Sequence, residues 1–412
     1  MTTHRTPRAL VIGGSLGGLF AANLLARAGW AVDVYERTGE ALAGRGAGLA
    51  THPELMRALE RAGAALDESI GVRVRRRVAL ACDGSVAGVH ELPQVMTAWG
   101  RIYRLLKDLF APQHYHFGRN LVRVAERGGR VVAVFDDGRE ESGDLLVAAD
   151  GIRSTVRQQL APEVRPQYAG YVAWRGLIEE RDLPPALRAE IFEDFVFGLP
   201  PGEQIVTYPV AGKDNTTRPG ERRYNFVWYR PADEAERLPW LLTDVNGVRN
   251  EGQIPPHLIR PEVIAAMRRD ARAILAPQIA EVIERTAAPF IQPIYDLESP
   301  RMAFGRIATL GDAAFVARPH VGMGVLKAGE DAIALVDRLA EHRDDVPAAL
   351  AAYERDRQPY GAKVIARARH LGAYLQAQIR PGAERAMAER YRTVEAVLRE
   401  TAISPSEIEG LH

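Results

Sequence analysis

The chain has 412 residues, 47% of them apolar, enough to bury a large core in two structural lobes. Lys plus Arg equals Asp plus Glu at 53 each, so no basic field points to nucleic acid or an anionic membrane, and a small, modestly charged ligand is expected. One cysteine, Cys82, excludes an internal disulfide, a redox-active cysteine pair and a Cys-cluster metal site.

Ala9 to Ala26 follows Arg5 and Arg8, is almost free of charge and ends in Ala26-Arg27-Ala28, the outline of a secretory signal. Gly13, Gly14, Gly17 and Gly18 stand in its middle, where each costs a helix about 1 kcal/mol relative to alanine, so the segment is read as part of the fold. No other run is long enough to span a bilayer, and a cytoplasmic protein is expected. Ala9-Leu10-Val11-Ile12 reads as a strand, the glycine turn opens an apolar helix ending near Gly29, and Ala31 to Glu36 reads as the next strand. This strand–helix–strand unit belongs to a parallel sheet with a right-handed crossover. In the loop Gly13-Gly14-Ser15-Leu16-Gly17-Gly18, Gly13 makes the tight turn and Gly18 lets helix and strand pack, while Ser15 replaces the middle glycine of G-x-G-x-x-G. The N–H groups at the helix start attract phosphates, and Glu36 is placed to accept from a ribose hydroxyl. Together these point to an adenine dinucleotide, NAD or FAD, with Glu36 disfavouring a 2′-phosphate.

Helical patterns follow at Pro53 to Arg61 and Tyr103 to Phe110, then a strand at Val131 to Phe135, a turn at Asp136-Asp137-Gly138 and a buried strand at Leu145 to Ala149. Asp150 follows that strand directly, either aimed out of the sheet's carboxyl end or acting with Ser154 as a helix cap. From Pro166 to Pro293 aromatics concentrate in short runs broken by Pro and Gly, which reads as a mostly antiparallel sheet with a helix at Pro261 to Leu275. The α/β texture resumes at Arg306 with the strand Ile307 to Leu310, followed by Gly311-Asp312 and a helix from Gly324 to Leu339. Asp312 again ends a buried strand and could be a cap. From Pro347 the chain is helical and charged on one face, without the heptads of a coiled coil.

Three ordered motifs, Gly13 to Gly18 with Glu36, Asp150 to Arg157, and Gly311-Asp312 through Gly324, join Leu350-x-x-Tyr353-Glu354-x-x-Arg357-x-Pro359. With them the chain resembles, over nearly its whole length, the class A flavoprotein aromatic hydroxylases of the para-hydroxybenzoate hydroxylase type. Gly13-Gly14-Ser15, Tyr168 to Gly176, Asn225 to Tyr229 and Arg318-Pro319-His320 resemble the branch acting on hydroxypyridines, which makes Ser15 a mark of that branch. The resemblance implies an α/β fold: a Rossmann-like FAD-binding domain (1–75, 100–165 and 294–345) interleaved with a mostly antiparallel β-sheet substrate domain (76–99 and 166–293), plus C-terminal helices (346–412). It implies FAD as cofactor and NADH or NADPH as co-substrate, with the Asp150 motif touching both. The expected cofactor contacts are Gly13, Ser15, Leu16, Gly17, Gly18, Glu36, Arg37, Arg45, Arg104, Leu121, Asp150, Gly151, Asp312, Gly322, Met323 and Gly324. Two departures stand out. Phe315 occupies the place of the usual histidine after Gly-Asp-Ala-Ala, and Tyr103 that of the usual arginine in Arg-x-x-Leu, so Arg104 ranks above Arg101 as the phosphate contact.

No metal set, nucleophile elbow or Cys–His pair is present, so the hard step belongs to the flavin. The resemblance implies that O2 adds at the flavin C4a and that an electron-rich hydroxylated ring, a hydroxypyridine such as 2,6-dihydroxypyridine, attacks the outer oxygen of the hydroperoxide. The protein must supply a proton acceptor and a dry pocket. His52 and His320 are the candidate acceptors, because an ordinary imidazole titrates near ~6.5; either could instead be structural. Trp174, Tyr208, Tyr224 and Trp228 are candidate pocket walls, and Arg175 is an anion clamp or, preferably, a salt-bridged strand residue. Rival readings are a salicylate-like or urate-like ring substrate, or a flavin-binding protein without turnover. The partners expected are a small aromatic substrate and O2, with a homodimer left open.

Overall fold

The apolar run Arg8–Ile12 becomes an interior strand of a six-stranded sheet in the order Ala303–Phe304, Ile307–Thr309, Leu145–Ala148, Arg8–Ile12, Ala31–Tyr35, Tyr115–His116. All neighbours are parallel except Ala303–Phe304, which turns back on Ile307–Thr309. The computed structural model describes residues 5–40, 42, 48–343, 345–376, 382–408 and 410–411. Successive residues of the central strands point to opposite layers. Ala9, Val11, Leu145, Val147 and Ala308 face the helices Leu16–Arg27, Pro53–Ala62, Trp99–Leu109 and Gly324–His342. Leu10, Ile12, Leu146, Ala148 and Ile307 face a three-stranded antiparallel sheet, Leu121–Arg127, Arg130–Phe135 and Glu140–Gly143. Near-continuous apolar strands are what burial on both faces demands.

A second sheet has eight strands in the order Phe315–Val316, Phe290–Glu298, Gln167–Glu179, Arg223–Pro231, Gln204–Val210, Phe195–Gly198, Arg77–Leu80, Val86–His90. It is antiparallel apart from the pair Phe195–Gly198 and Arg77–Leu80. One face carries Val172, Trp174, Tyr224, Phe226 and Trp228 and packs on the helices Pro261–Ile274 and Pro277–Arg285. The other carries Tyr171, Ala173, Val206, Tyr208, Val227 and Tyr229 and turns toward the long helix Val346–Leu371.

That helix explains the C-terminal motif. The Tyr353 hydroxyl donates to the Thr309 carbonyl at 2.9 Å, and the Glu354 carboxylate accepts the Met302 and Ala303 N–H groups at 2.6 and 2.8 Å. The first contact pins the strand that leads into Asp312, and the second pins the strand paired with it. Two local differences from the sequence reading are informative. The helix expected from Tyr103 begins at Trp99, its start hidden by Gly100, a poor helix former. The expected helix ending at Leu275 is followed by a second, Pro277–Arg285, which opens on a proline suited to a first helical position. Among the described residues no helix is long and apolar enough to cross a membrane.

Candidate functional site

The glycine loop is shaped by close approach. Gly13 adopts φ +100°, and a side chain on Gly18 would run into the Gly13 carbonyl oxygen, so both positions require glycine. Ser15 has φ −80° and ψ −170°, extended backbone open to any residue, which is why serine replaces glycine without strain. Its hydroxyl makes no capping bond to the helix Leu16–Arg27, whose first turn has no acidic residue, so the N–H groups there remain attractive to an anion. Glu36 is buried at the expected place. One carboxylate oxygen accepts the Gly14 N–H at 2.8 Å; the other accepts the Thr38 N–H and hydroxyl, both at 3.0 Å. Tyr115 donates to the Gly14 carbonyl at 2.9 Å and closes the loop from the other side.

The second motif combines both of its readings. Ser154 caps its helix by accepting the Arg157 N–H at 2.9 Å, and Asp150 Oδ2 accepts the Thr155 N–H at 2.8 Å. Asp150 Oδ1 is buried without a donor, and burial raises the pKa of this carboxyl. An orphaned carboxylate oxygen at this depth is what a hydroxyl-bearing cofactor would satisfy. Arg157, buried, donates to the Ala313 carbonyl at 2.9 Å and so joins the second motif to the third.

Asp312 lies deep within the protein, yet its side chain is exposed to an internal cavity. Desolvation by the surrounding protein pushes its pKa up, Lys327 pulls it down and Asp331 adds to the rise. Behind it stands a charged triad that sequence reasoning missed. The Lys327 ammonium bonds the Asp331 carboxylate at 2.9 Å and the Gly311 carbonyl at 3.2 Å; Asp331 also accepts the Gly311 N–H at 3.1 Å and, on its other oxygen, Arg357 at 2.8 Å. Although burial opposes ionisation, Lys327 and Arg357 hold Asp331 below the usual carboxylate range. Gly311, just before Asp312, is thus fixed at both its N–H and its carbonyl. The i,i+4 spacing of Lys327 and Asp331 was the available signal.

All three motifs open on one cavity of about 380 Å³. Its side toward the glycine loop includes Ser15, Leu16, Gly17, Gly151, Asp312, Gly322, Met323 and Gly324; its far side includes Arg175, Phe195, Val206, Tyr208, Val227, Tyr229 and His320. Of the four expected pocket walls only Tyr208 faces this space. Trp174, Tyr224 and Trp228 belong to the opposite face of the eight-stranded sheet, within the core against Pro261–Ile274. Side chains alternate along a strand, so Arg175, Val227 and Tyr229 are their cavity-facing neighbours. Arg175 has no carboxylate partner among the described residues, contrary to the preferred salt-bridge reading.

His320 is buried on the cavity wall. Its Nε2 lies 3.0 Å from the Tyr171 hydroxyl, its ring sits 4.1 Å from that of Tyr229, and its Nδ1 has no partner. Burial, with Arg318 adding to it, pushes its pKa down to about 3, so the imidazole is neutral at pH 7. His52, also buried, does not line the cavity; its Nε2 donates to the Gly322 carbonyl at 3.3 Å, and burial lowers its pKa. Its visible role is to hold the turn at Gly322.

A strap from the C-terminal region, Thr401 and Ala402, completes the wall. Ala402 donates its N–H to the His320 carbonyl at 2.9 Å. Arg77, fully buried, reaches the carbonyls of Leu398, Thr401 and Ala402 at 2.7, 2.6 and 3.1 Å. Arg37, Leu121 and Arg104, also expected as contacts, do not line this cavity. Arg37 is exposed, Leu121 is packed in the core under the six-stranded sheet, and Arg104 donates to the Lys213 carbonyl at 3.1 Å. Arg101 bonds Ser69 at 2.6 Å. Arg45 lies outside the described residues.

Comparison with known proteins bears on this arrangement. A family profile described as FAD binding domain-like matches residues 168–296. The chain is 30% identical to a 2,6-dihydroxypyridine 3-monooxygenase of Paenarthrobacter nicotinovorans, over 90% of this chain and 92% of that one. It is 31% identical to an FAD-dependent urate hydroxylase of Klebsiella pneumoniae, over 85% of each. The solved structure of 2,6-dihydroxypyridine-3-hydroxylase from Arthrobacter nicotinovorans superposes with a TM-score of 0.84 at 30% identity, covering 92% of this chain and 95% of that one.

Proposed function

Because the chain belongs to the FAD-dependent aromatic-ring monooxygenases, we propose that it hydroxylates a hydroxypyridine such as 2,6-dihydroxypyridine, with NADH or NADPH as electron donor and O2 as oxidant. One oxygen atom enters the ring, the other leaves as water, and the nicotinamide hydride provides the electrons. The observation that carries the reading is the shared cavity: Ser15, Gly151 and Asp312 face the same space as Tyr208, Tyr229 and His320. With the exposed Cys82 as its lone cysteine, the protein fits a reducing cytoplasm.

The residues present suit FAD. The N–H groups at the start of Leu16–Arg27 would take its pyrophosphate, Glu36 a ribose hydroxyl, and Asp312 with the orphaned oxygen of Asp150 the hydroxyls toward the ring system. The helix start at Gly322 to Gly324 would face the flavin's carbonyl edge. Bound FAD supplies the redox chemistry, carrying electrons from the nicotinamide to O2.

The chain itself orients the ring and keeps water out. Phe195, Val206, Val227 and Ala402 give the far side its apolar walls. His320, neutral, offers a hydrogen bond in concert with Tyr171. An imidazole with a pKa of about 3 is a poor store for a ring proton at pH 7, so its part is to orient the ring rather than to hold that proton. The test is NADH oxidation by FAD-loaded protein across a panel of hydroxypyridines and phenols. A sharp acceleration with a hydroxypyridine, accompanied by hydroxylated product, is expected; a rate indifferent to every ring would overturn the proposal.

A further inference from the structure

The far side of the cavity carries a positive charge that no carboxylate among the described residues pairs with. Arg175 projects from Gln167–Glu179 into this space, and its Nε is buried without an acceptor. Two other guanidiniums of the same sheet region are paired with carboxylates, Arg318 with Asp296 at 2.8 Å, and Arg230 with Glu203 at 3.0 Å and Asp270 at 2.8 Å, while Arg223 donates to the Ala211 carbonyl at 3.2 Å. Among the described residues Arg175 pairs with no carboxylate. Its charged neighbours on the cavity wall are Asp312, across on the glycine-loop side, and Arg318, already neutralised. His320 is neutral. The phenols of Tyr208 and Tyr229 feel its charge, and that of Tyr229 also hydrogen-bonds it; both are neutral partners. Burial pushes the Tyr208 phenol up to about 12, and the Arg175 charge acts against that rise on both tyrosines.

A cation half-withdrawn from water without a counter-ion is costly unless a ligand supplies the charge. We propose that Arg175 is the specificity-determining residue of the ring pocket and selects a planar ring bearing a negatively charged oxygen, so that the substrate enters as its anion. This rests on the hydroxylase reading above. It also removes the need for a strong base in the pocket, because the ring arrives with its proton already lost. The planar guanidinium suits either source of such an oxygen, a ring oxide or a ring carboxylate.

The experiment is ligand binding to the FAD-loaded protein, read from perturbation of the flavin spectrum. The ligands are 2,6-dihydroxypyridine for the ring oxide, benzoate for the carboxylate and 2,6-dimethoxypyridine as a neutral ring. Arg175→Gln should weaken the bound anion about 10- to 100-fold, the range of a charge-assisted hydrogen bond, and leave the neutral ring unchanged. Arg175→Lys, which keeps the charge and loses the fork, should fall between; it decides the matter if the glutamine variant does not retain FAD. Whichever anion suffers the larger loss identifies the source of the oxygen. Equal losses for anion and neutral ring, or none for either anion, would overturn the role of Arg175 while leaving the hydroxylase reading in place. A wild type that binds none of the three rings would overturn both.

Discussion

The Arg157 guanidinium donates to the Ala313 carbonyl at 2.9 Å, across a sequence separation of 156 residues. The same side chain reaches the Val164 carbonyl at 3.3 Å and that of Ile152. One buried cation therefore fixes the geometry between the motif that carries Asp150 and the one that carries Asp312. Arg157→Leu leaves these carbonyls without their donor, each at a cost of about 1–3 kcal/mol. The expected outcome is a lower thermal midpoint and weaker retention of FAD on gel filtration than in the wild type.

Lys327 is nearly inaccessible, 1% exposed, and its loss removes one of the two cations that keep Asp331 ionised. Lys327→Met should cost about 3–5 kcal/mol, the range for breaking a buried ion pair from one side. Chemical denaturation of FAD-free protein measures this directly, without contribution from cofactor binding.

Ser15 is extended, so glycine offers no conformational relief there. Ser15→Gly adds freedom to the unfolded loop and should weaken FAD binding by about 0.5–1 kcal/mol, a few-fold in affinity. Titration of the FAD-free variant with FAD checks it. Tighter binding would mean that the serine is a strained substitute.

His320 ties stability to pH. Its folded pKa of about 3 lies below that of an unfolded imidazole, near ~6.5, so the unfolded chain takes up a proton first as pH falls. The stability linked to His320 is present above the unfolded value and is lost progressively down to the folded one. Between pH 6.5 and 5 this amounts to about 2 kcal/mol. His320→Asn should flatten that part of the stability profile, keep FAD and reduce the fraction of NADH oxidation that yields product. Parallel profiles for variant and wild type would show that the imidazole titrates normally.

Arg77 closes the cavity from a distance, through the carbonyls of Leu398, Thr401 and Ala402. Burial pushes its pKa down to about 9, which leaves it charged at pH 7. Arg77→Met should loosen the strap over His320 and admit water, so that hydrogen peroxide rises at the expense of product while the NADH oxidation rate changes less. Peroxide and product measured together in one assay decide it.

The glycine-loop half of the cavity was legible because its residues do local work. Gly13, Gly18 and Glu36 act within one strand–helix–strand unit, and Asp150 and Asp312 directly end buried strands. The ring half was less legible, for a geometric reason. Alternation divides Tyr224 to Tyr229 into two sets, but which set meets the cavity depends on the helices that cover the other face. Trp174 and Trp228 looked like walls of this cavity because they are large aromatics; they lie on the other face of the sheet. Arg77 and the strap at Thr401 and Ala402 were out of reach, since their contact joins residues more than three hundred positions apart. Arg175 was visible as a charge on a strand, but that no carboxylate among the described residues pairs with it emerges only when the neighbouring strands are in place.

Transfer of oxygen from O2 to a hydroxypyridine ring is followed by isotope. FAD-loaded protein is given NADH and 2,6-dihydroxypyridine under ¹⁸O2, and the ring product is weighed by mass spectrometry. A hydroxylated pyridine carrying one labelled oxygen atom, formed in proportion to the NADH consumed, is the expected product. Product whose new oxygen comes from water, or NADH consumption that this ring does not accelerate and that yields only peroxide, would contradict the proposed hydroxylation.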